Sequence, residues 1–305
     1  MDRCFHYIIE SPDEGADVAG FLARRHFSRR LVIRLRKSPE TVRINGKDAF
    51  TTARLSAGDV LDIRIAEDPP SEKLVPVEMP LSVLFEDEDL CVIDKPAGMP
   101  VHISMGNYRN TAANACAWYY RNEPTPFIFR AVNRLDRDTT GAMIVAKNPF
   151  AAAACAPASQ EHRIRTEYLA IVRGIPPEQG TIDAPIARVP GSVMLRQVDP
   201  VNGARAVTHY RRIAVAPSGS LRGCQALSLV SVTPETGRTH QIRVHMNSIG
   251  YPLPGDYLYC RDFSCFSRSP LHAWKLTFPH PVTGEILTVT APVPEDMRRF
   301  FPHIL

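Results

Sequence analysis

Residues 131–147 read AVNRLDRDTTGAMIVAK. An apolar pair, Ala131 and Val132, enters a polar knot running from Asn133 to Gly141, and a strand-like apolar run follows over 142–146. A loop between strands has only to satisfy its backbone and stay in water. Two arginines, two aspartates and two threonines ahead of one glycine exceed that need. The knot therefore reads as a site, with an apolar lead-in before it and a strand after it.

The surrounding chain reads mostly as strands. Downstream, residues 166–172 (TEYLAIV), 226–233 (ALSLVSVT) and 285–291 carry strand patterns, with weaker candidates at 180–185 and 203–211. In 226–233, Leu227 and Leu229 fall on one face and Val230 and Val232 on the other, so both faces are expected to be covered. Upstream, 83–85 and 90–93 read as strands, and Lys95-Pro96-Ala97-Gly98 ends the second where the backbone must turn. Only 112–121 and 151–156 are clearly helix-prone. Many strands and few helices make residues 81–305 an α+β domain on a mixed, mainly antiparallel sheet.

Residues 1–65 form a second, smaller α+β unit. A strand over 5–9 is followed by a helix over 18–27 with Val18, Phe21 and Leu22 on one face. Ser28 caps a second helix over 29–36, in which Leu31, Ile33 and Leu35 supply the apolar contacts. Val42 and Ile44 alternate into an Asn45-Gly46 turn, and Val60, Leu61 and Ile63 follow a Gly58-Asp59 turn, which makes two short strands. From Arg24 to Lys37 there are seven Lys and Arg residues and no acidic one. Such a patch suits phosphates, with Arg29, Arg30 and Arg34 as the candidate contacts. A solvated helix face is the plainer alternative. Residues 66–80, AEDPPSEKLVPVEMP, are proline-rich and charged and read as a semi-extended linker.

Composition excludes several classes. The chain has 305 residues, 44% of them hydrophobic and 22% charged, as an ordinary globular protein has. No apolar run approaches the roughly 20 residues that cross a bilayer, and the first residues show no secretory pattern, so a cytoplasmic protein without a membrane partner is expected. Cysteines at 4, 91, 116, 155, 224, 260 and 265 form no CxxC pair and read as reduced thiols rather than a metal site. The formal charge of +4 is weakly basic. No interface stripe is visible, which favours a monomer without an obligate protein partner.

The second polar concentration is 234–245, PETGRTHQIRVH. A helix starting at Arg238 would turn its free N–H groups to a cleft, with Arg238, His240 and Arg243 available to a ligand and His245 as a structural group. Neither a GxGxxG fingerprint nor a P-loop is present, nor HExxH or GxSxG, so no metal or cofactor is expected. A carboxylate, arginines, a histidine and aromatic residues remain, enough for nucleophilic or acid–base chemistry on a base or a sugar.

These stretches resemble the pseudouridine synthases of the RluA family. NRLDRDTTG is similar to that family's HRLDxxTSG motif, with Asn133 for the histidine and Thr140 for the serine. TEYLAIVRG at 166–174, TGRTHQIRVH at 236–245, GYPLPGDYLY at 250–259 and LHAWKLTFPHPVTGE at 271–285 resemble further family motifs in the same order. The likeness runs from about 81 to 300, and residues 1–65 resemble the S4-like RNA-binding domain found in front of several RNA-modifying enzymes.

The resemblance implies a pseudouridine synthase fold and an isomerase of uridine in structured RNA, ribosomal RNA being favoured over transfer RNA. It makes Asp136 the nucleophile, Tyr168 its aromatic partner and Arg243 the cation paired with it. Arg134, Arg137, Arg238 and His240 are then candidates to hold the flipped nucleotide. Asn133 and Thr140 keep hydrogen-bonding capacity, while Thr166 stands where the family often has lysine. A non-catalytic RNA-binding or ribosome-assembly factor and an N-glycosidic hydrolase are the competing expectations.

Overall fold

A computed structural model describes residues 1–37, 39–69, 73–216 and 226–304. Cys224 and residues 70–72 of the expected linker lie outside the described residues. The chain opens with β1 (Arg3–Ile8), α1 (Val18–Arg24), α2 (Arg29–Arg36), β2 (Val42–Ile44), β3 (Lys47–Asp48) and β4 (Val60–Ile65). Their strands pair in the order β1-β4-β2-β3. Asn45 and Gly46 both have positive φ, 51° and 76°, the geometry a two-residue turn needs to match the strand twist.

Asp17 caps α1 through the Gly20 amide, and Ser28 caps α2 through the Leu31 amide at 3.3 Å. The apolar face of α2 is Leu31, Val32 and Leu35, and Ile33 is exposed. The alternation read from sequence thus misplaced one contact, because at 100° per residue positions 31, 32 and 35 share a face and 33 does not. These side chains pack with Phe5, Phe21, Phe27 and Leu61. Phe150, from a helix of the larger unit, completes the cluster with its ring 4.7 Å from both Phe5 and Phe27.

The larger unit contains β5 (Ser82–Glu86), β6 (Leu90–Lys95), α3 (Ala112–Tyr119), β7 (Thr140–Ala146), α4 (Pro149–Gln160), β8 (Arg165–Arg173) and β9 (Gln179–Asp183). It continues with β10 (Ile186–Arg188), β11 (Arg196–Val198), β12 (Val207–Val215), β13 (Leu227–Pro234), α5 (Gln241–Ser248), β14 (Leu271–Pro279), β15 (Ile286–Thr290) and α6 (Glu295–Arg298). The main sheet runs β5-β6-β7-β14-β8-β13-β12-β9, with β15 on β14. Among the described residues only the β7–β14 pair is parallel, so the sheet is mixed and mainly antiparallel. β10 and β11 form a separate hairpin.

That parallel pair places the site. β7 is buried along its whole length, and its first two residues pair with His272 and Ala273. Gly141 has φ of 109°, and a Cβ there would lie 2.3 Å from the Ala273 carbonyl oxygen. Only glycine allows the knot to end where the two strands meet so closely. Residues 66–69 and 73–81 carry no regular element and are tied down, Asn114 donating to the Val75 carbonyl at 2.8 Å. Cys4, Cys91, Cys116, Cys155 and Cys260 are free, but Cys265 is disulfide-bonded, against the expectation of reduced thiols throughout. Sequence spacing does not report which sulfurs meet in space. No helix is long and apolar enough to cross a membrane among the described residues.

Candidate active site

The knot is held by its ends and by its carbonyls. Before it, the Val132 amide donates to Ile144 and the Ala146 amide to Arg130, which lays the lead-in against β7. Asn133 accepts from the Ile144 amide at 2.7 Å through Oδ1, so the residue that departs from the family pattern serves the strand. Beneath the loop, the fully buried Lys95 donates from Nζ to the carbonyls of Pro96 (2.8 Å), Met99 (2.9 Å) and Arg137 (2.9 Å). Arg268 donates to the next carbonyl, Asp138 O, at 3.1 Å while holding Asp296 in a fork. Two cations thus fix consecutive peptides immediately after Asp136, which sets the direction of its side chain.

Burial pulls the Lys95 ammonium down to about 7, against the nearby charges of Asp138 and Asp136. Each of its three carbonyl partners uses one ammonium proton, which supports the charged form. Sequence reading treated Lys95 only as part of a strand break. A lysine placed after the apolar run of Leu90 to Ile93 and Asp94, directly ahead of Pro-Ala-Gly, was the available signal, and Arg268 had none.

Asp136, Tyr168, Arg238, His240 and Arg243 line one cleft of about 100 Å³, together with Arg134, Leu135, Thr139 and Leu271. Arg243, on α5, donates from Nη1 to Asp136 Oδ2 at 2.9 Å and from Nε and Nη2 to Asp256 at 2.6 and 2.8 Å. Its side chain is 4% exposed and that of Asp256 1%, while Asp136 opens to the cleft at 27%. The guanidinium is thus forked on one buried carboxylate and gives its remaining edge to the other. Both carboxylates push the Arg243 pKa up, against the cost of burial. Asp256 belongs to the GDYLY stretch, whose family likeness was legible but whose role as counter-ion was not.

Tyr168 lies on β8 opposite Val232 and Ala273 and is half-buried between two apolar clusters. Burial, reinforced by the Asp136 charge, pushes its phenol up to about 12. The ring is therefore present at neutral pH as a neutral aromatic face with a hydroxyl donor.

The polar stretch at 234–245 folds differently from the expectation of a helix beginning at Arg238. α5 starts at Gln241, and His240 before it adopts a left-handed conformation with φ of 59°. Gln241 is the reason: its side chain accepts from Thr236 and the Arg238 amide and donates to Val207 and Thr208, folding 236–240 into a turn. His240 Nδ1 is 2.9 Å from the Tyr259 hydroxyl, and burial lowers its pKa, against the charges of Asp136 and Asp256. His245 is wholly buried between Thr208 and the Ala184 carbonyl, a structural group.

The remaining candidates divide by engagement. Arg134 is exposed at the cleft without an ion-pair partner among the described residues. Arg137 is forked on Asp138 and lies over the Tyr257 ring at 5.3 Å. Arg238 reaches the Arg205 carbonyl. On α2, Arg29 and Arg30 are exposed, whereas Arg34 is held by Asp68 and the Ala66 carbonyl. Asp87, Asp89 and His280 are close enough together to suggest a metal site. They are already engaged: Arg3 and Asn148 donate to Asp89, and His280 and the Leu90 amide meet Asp87.

Known proteins resemble this chain over most of its length. The sequence profile described as RNA pseudouridylate synthase matches residues 89–248. The ribosomal large subunit pseudouridine synthase D of Zymomonas mobilis is 41% identical over 247 residues, 75% of this chain and 74% of that protein. The uncharacterized RNA pseudouridine synthase YjbO of Bacillus subtilis is 36% identical over 273 residues, covering 89% and 93%. The solved structure of human RNA pseudouridylate synthase domain containing 1 superposes with a TM-score of 0.57 at 27% identity, over 74% of this chain and 86% of that one. The chain belongs to the RluA-type RNA pseudouridine synthases, enzymes that isomerise uridine to pseudouridine in RNA.

Proposed function

We propose that this enzyme modifies ribosomal RNA, with Asp136 as nucleophile, Arg243 as the cation that aims it and Tyr168 as the face on which the freed uracil rests. The observation that carries the reading is Arg243, buried and forked on Asp256, presenting its last edge to the one carboxylate open to the cleft. A carboxylate so paired is held in one direction at the cleft, as attack requires. The neutral phenol of Tyr168 favours stacking and hydrogen bonding over proton removal. The names of several relatives support a ribosomal substrate.

The target uridine must leave its stack to reach Asp136, at a cost of a few kcal/mol that phosphate contacts offset. Arg134 at the cleft mouth is the first such contact, with Arg137, Arg238 and His240 around it. Residues 1–65 act as an S4-like module, joined by 66–80 to a catalytic domain at 81–305, and Arg29 and Arg30 supply its phosphate contacts. The enzyme works as a cytoplasmic monomer. Pseudouridine mapping of RNA from cells with and without the gene tests the reading, with complementation by wild type and by Asp136→Asn. A ribosomal position that loses its modification and regains it only with wild type is expected. Modification restored by Asp136→Asn would remove the nucleophile, and a lost site in transfer RNA would overturn the substrate.

A further inference from the structure

Thr139 and Thr140 are adjacent, both buried, and in opposite situations. Thr140 Oγ1 sits 2.8 Å from His272 Nδ1 and 3.4 Å from the Leu271 carbonyl, beneath the loop where β7 meets β14. Thr139 is 2% exposed, it is one of the residues lining the cleft beside Asp136, and its hydroxyl, shielded from solvent, has no hydrogen-bond partner within the protein. Its backbone is fixed, the amide donating to the Asp136 carbonyl at 3.2 Å, and the Lys95 and Arg268 contacts hold the two preceding peptides. The hydroxyl is therefore carried on a rigid turn three residues from the proposed nucleophile. The other orphaned side-chain atom among the described residues, Asn133 Nδ2, belongs to a residue that does not line the cleft and is already bonded to β7 through Oδ1.

Buried hydroxyls are nearly always paired, and one that is not marks a position where a partner is supplied from outside the chain. In this cleft the arriving partner is the flipped uracil. Resting on the reading of Asp136 given above, we infer that the Thr139 hydroxyl hydrogen-bonds the uracil ring and holds it while its link to the ribose is exchanged.

The chemistry of the ring makes this contact useful. Half a turn of uracil about its N3–C6 axis exchanges N1 with C5 and C2=O with C4=O. A donor set on one carbonyl before the exchange meets the other carbonyl in the same place afterwards. A hydroxyl is also able to accept from N3–H without a charge change. Thr139 thus grips the half of the ring that looks the same in substrate and product, while Asp136 faces the half that changes.

The test uses Thr139→Val, which keeps the shape and removes the hydroxyl, and Thr139→Ser, which keeps the hydroxyl. Each is compared with wild type and Asp136→Asn in single-turnover pseudouridine formation on total RNA from cells lacking the gene, alongside thermal unfolding. Because the hydroxyl has no partner in the free protein, Thr139→Val should unfold at the wild-type temperature or above. Its rate should nevertheless fall about tenfold or more, with Thr139→Ser within about threefold of wild type. A Thr139→Val rate equal to wild type overturns the inference. So does a parallel loss of stability and rate, which would mean that the hydroxyl is structural, and so does an equal loss in both variants, which would assign the effect to methyl packing. An active Asp136→Asn would instead sink the reading of the nucleophile, leaving the comparison of the Thr139 variants intact.

Discussion

On the N-terminal unit, Arg24 and Arg25 share Asp13, Arg43 holds Asp48 and Arg64 holds Asp2, all pairs at the surface. In the cleft, Arg243 holds two carboxylates with its side chain 4% exposed. The first kind of pair contributes little and is screened by salt. Breaking the second leaves a buried charge unpaired, at a cost of about 3–5 kcal/mol. The difference teaches that a run of cations is a binding surface only after its internal partners are subtracted. By that subtraction Arg29 and Arg30 remain on α2, and Arg34 does not.

Asp136 offers the largest effect with which to break this contrast. Asp136→Asn keeps a polar partner for Arg243, so stability should change by about 1 kcal/mol or less, while isomerisation should fall at least about 10³-fold. Equilibrium unfolding and single-turnover assays read the two quantities separately, and a variant that keeps most of its activity sinks the assignment. At Arg243, lysine preserves charge but not three directed N–H groups, and activity should fall about 10²-fold. Arg243→Ala strands Asp256 and should lower unfolding free energy by about 3–5 kcal/mol.

Lys95 sharpens the comparison through pH. Its folded-state pKa of about 7 lies below the ordinary lysine value of 10.5, so between those values the unfolded chain binds more protons. Its contribution to stability therefore rises with pH across that window, by up to about 1.4 kcal/mol per pH unit. The difference in unfolding free energy between wild type and Lys95→Met should climb from pH 7 to pH 10, and a flat difference would show the ammonium to be unperturbed. The smallest effect belongs to the N-terminal unit. Replacing Arg29 and Arg30 with alanine should flatten the salt dependence of RNA binding by about 1.4–1.8 in log–log slope, and Arg34→Ala should leave it nearly unchanged. Equal slopes for the two variants would erase the distinction drawn from partner counting.

Local chemistry made much of the fold legible. The Asn45-Gly46 turn, the Ser28 cap and the strand of 226–233 each depend on neighbours within a few residues, and each formed. Failures came where packing or a distant partner decided. Val32 rather than Ile33 faces the core because the segment is a helix, and α5 begins late because Gln241 reaches back to Val207 and Thr208. At the site, the motif likeness singled out Asp136, Tyr168 and Arg243, but Asp256, Lys95 and Arg268 became visible only through contacts spanning 13, 42 and 130 positions of chain.

By itself the sequence determined the strand-rich character of residues 81–305, the order of the family motifs and the glycine that must follow the polar knot. Those are consequences of periodicity, turn chemistry and the absence of a Cβ, all short-range in the chain. Tertiary structure decided which charges are paired, which hydroxyl of two neighbouring threonines was left without a partner, and that Asn133 serves β7 rather than the cleft. Hydrogen bonds and ion pairs act over a few ångströms in space, and the residues that make them are brought together only when β7, β14 and α5 close around the loop.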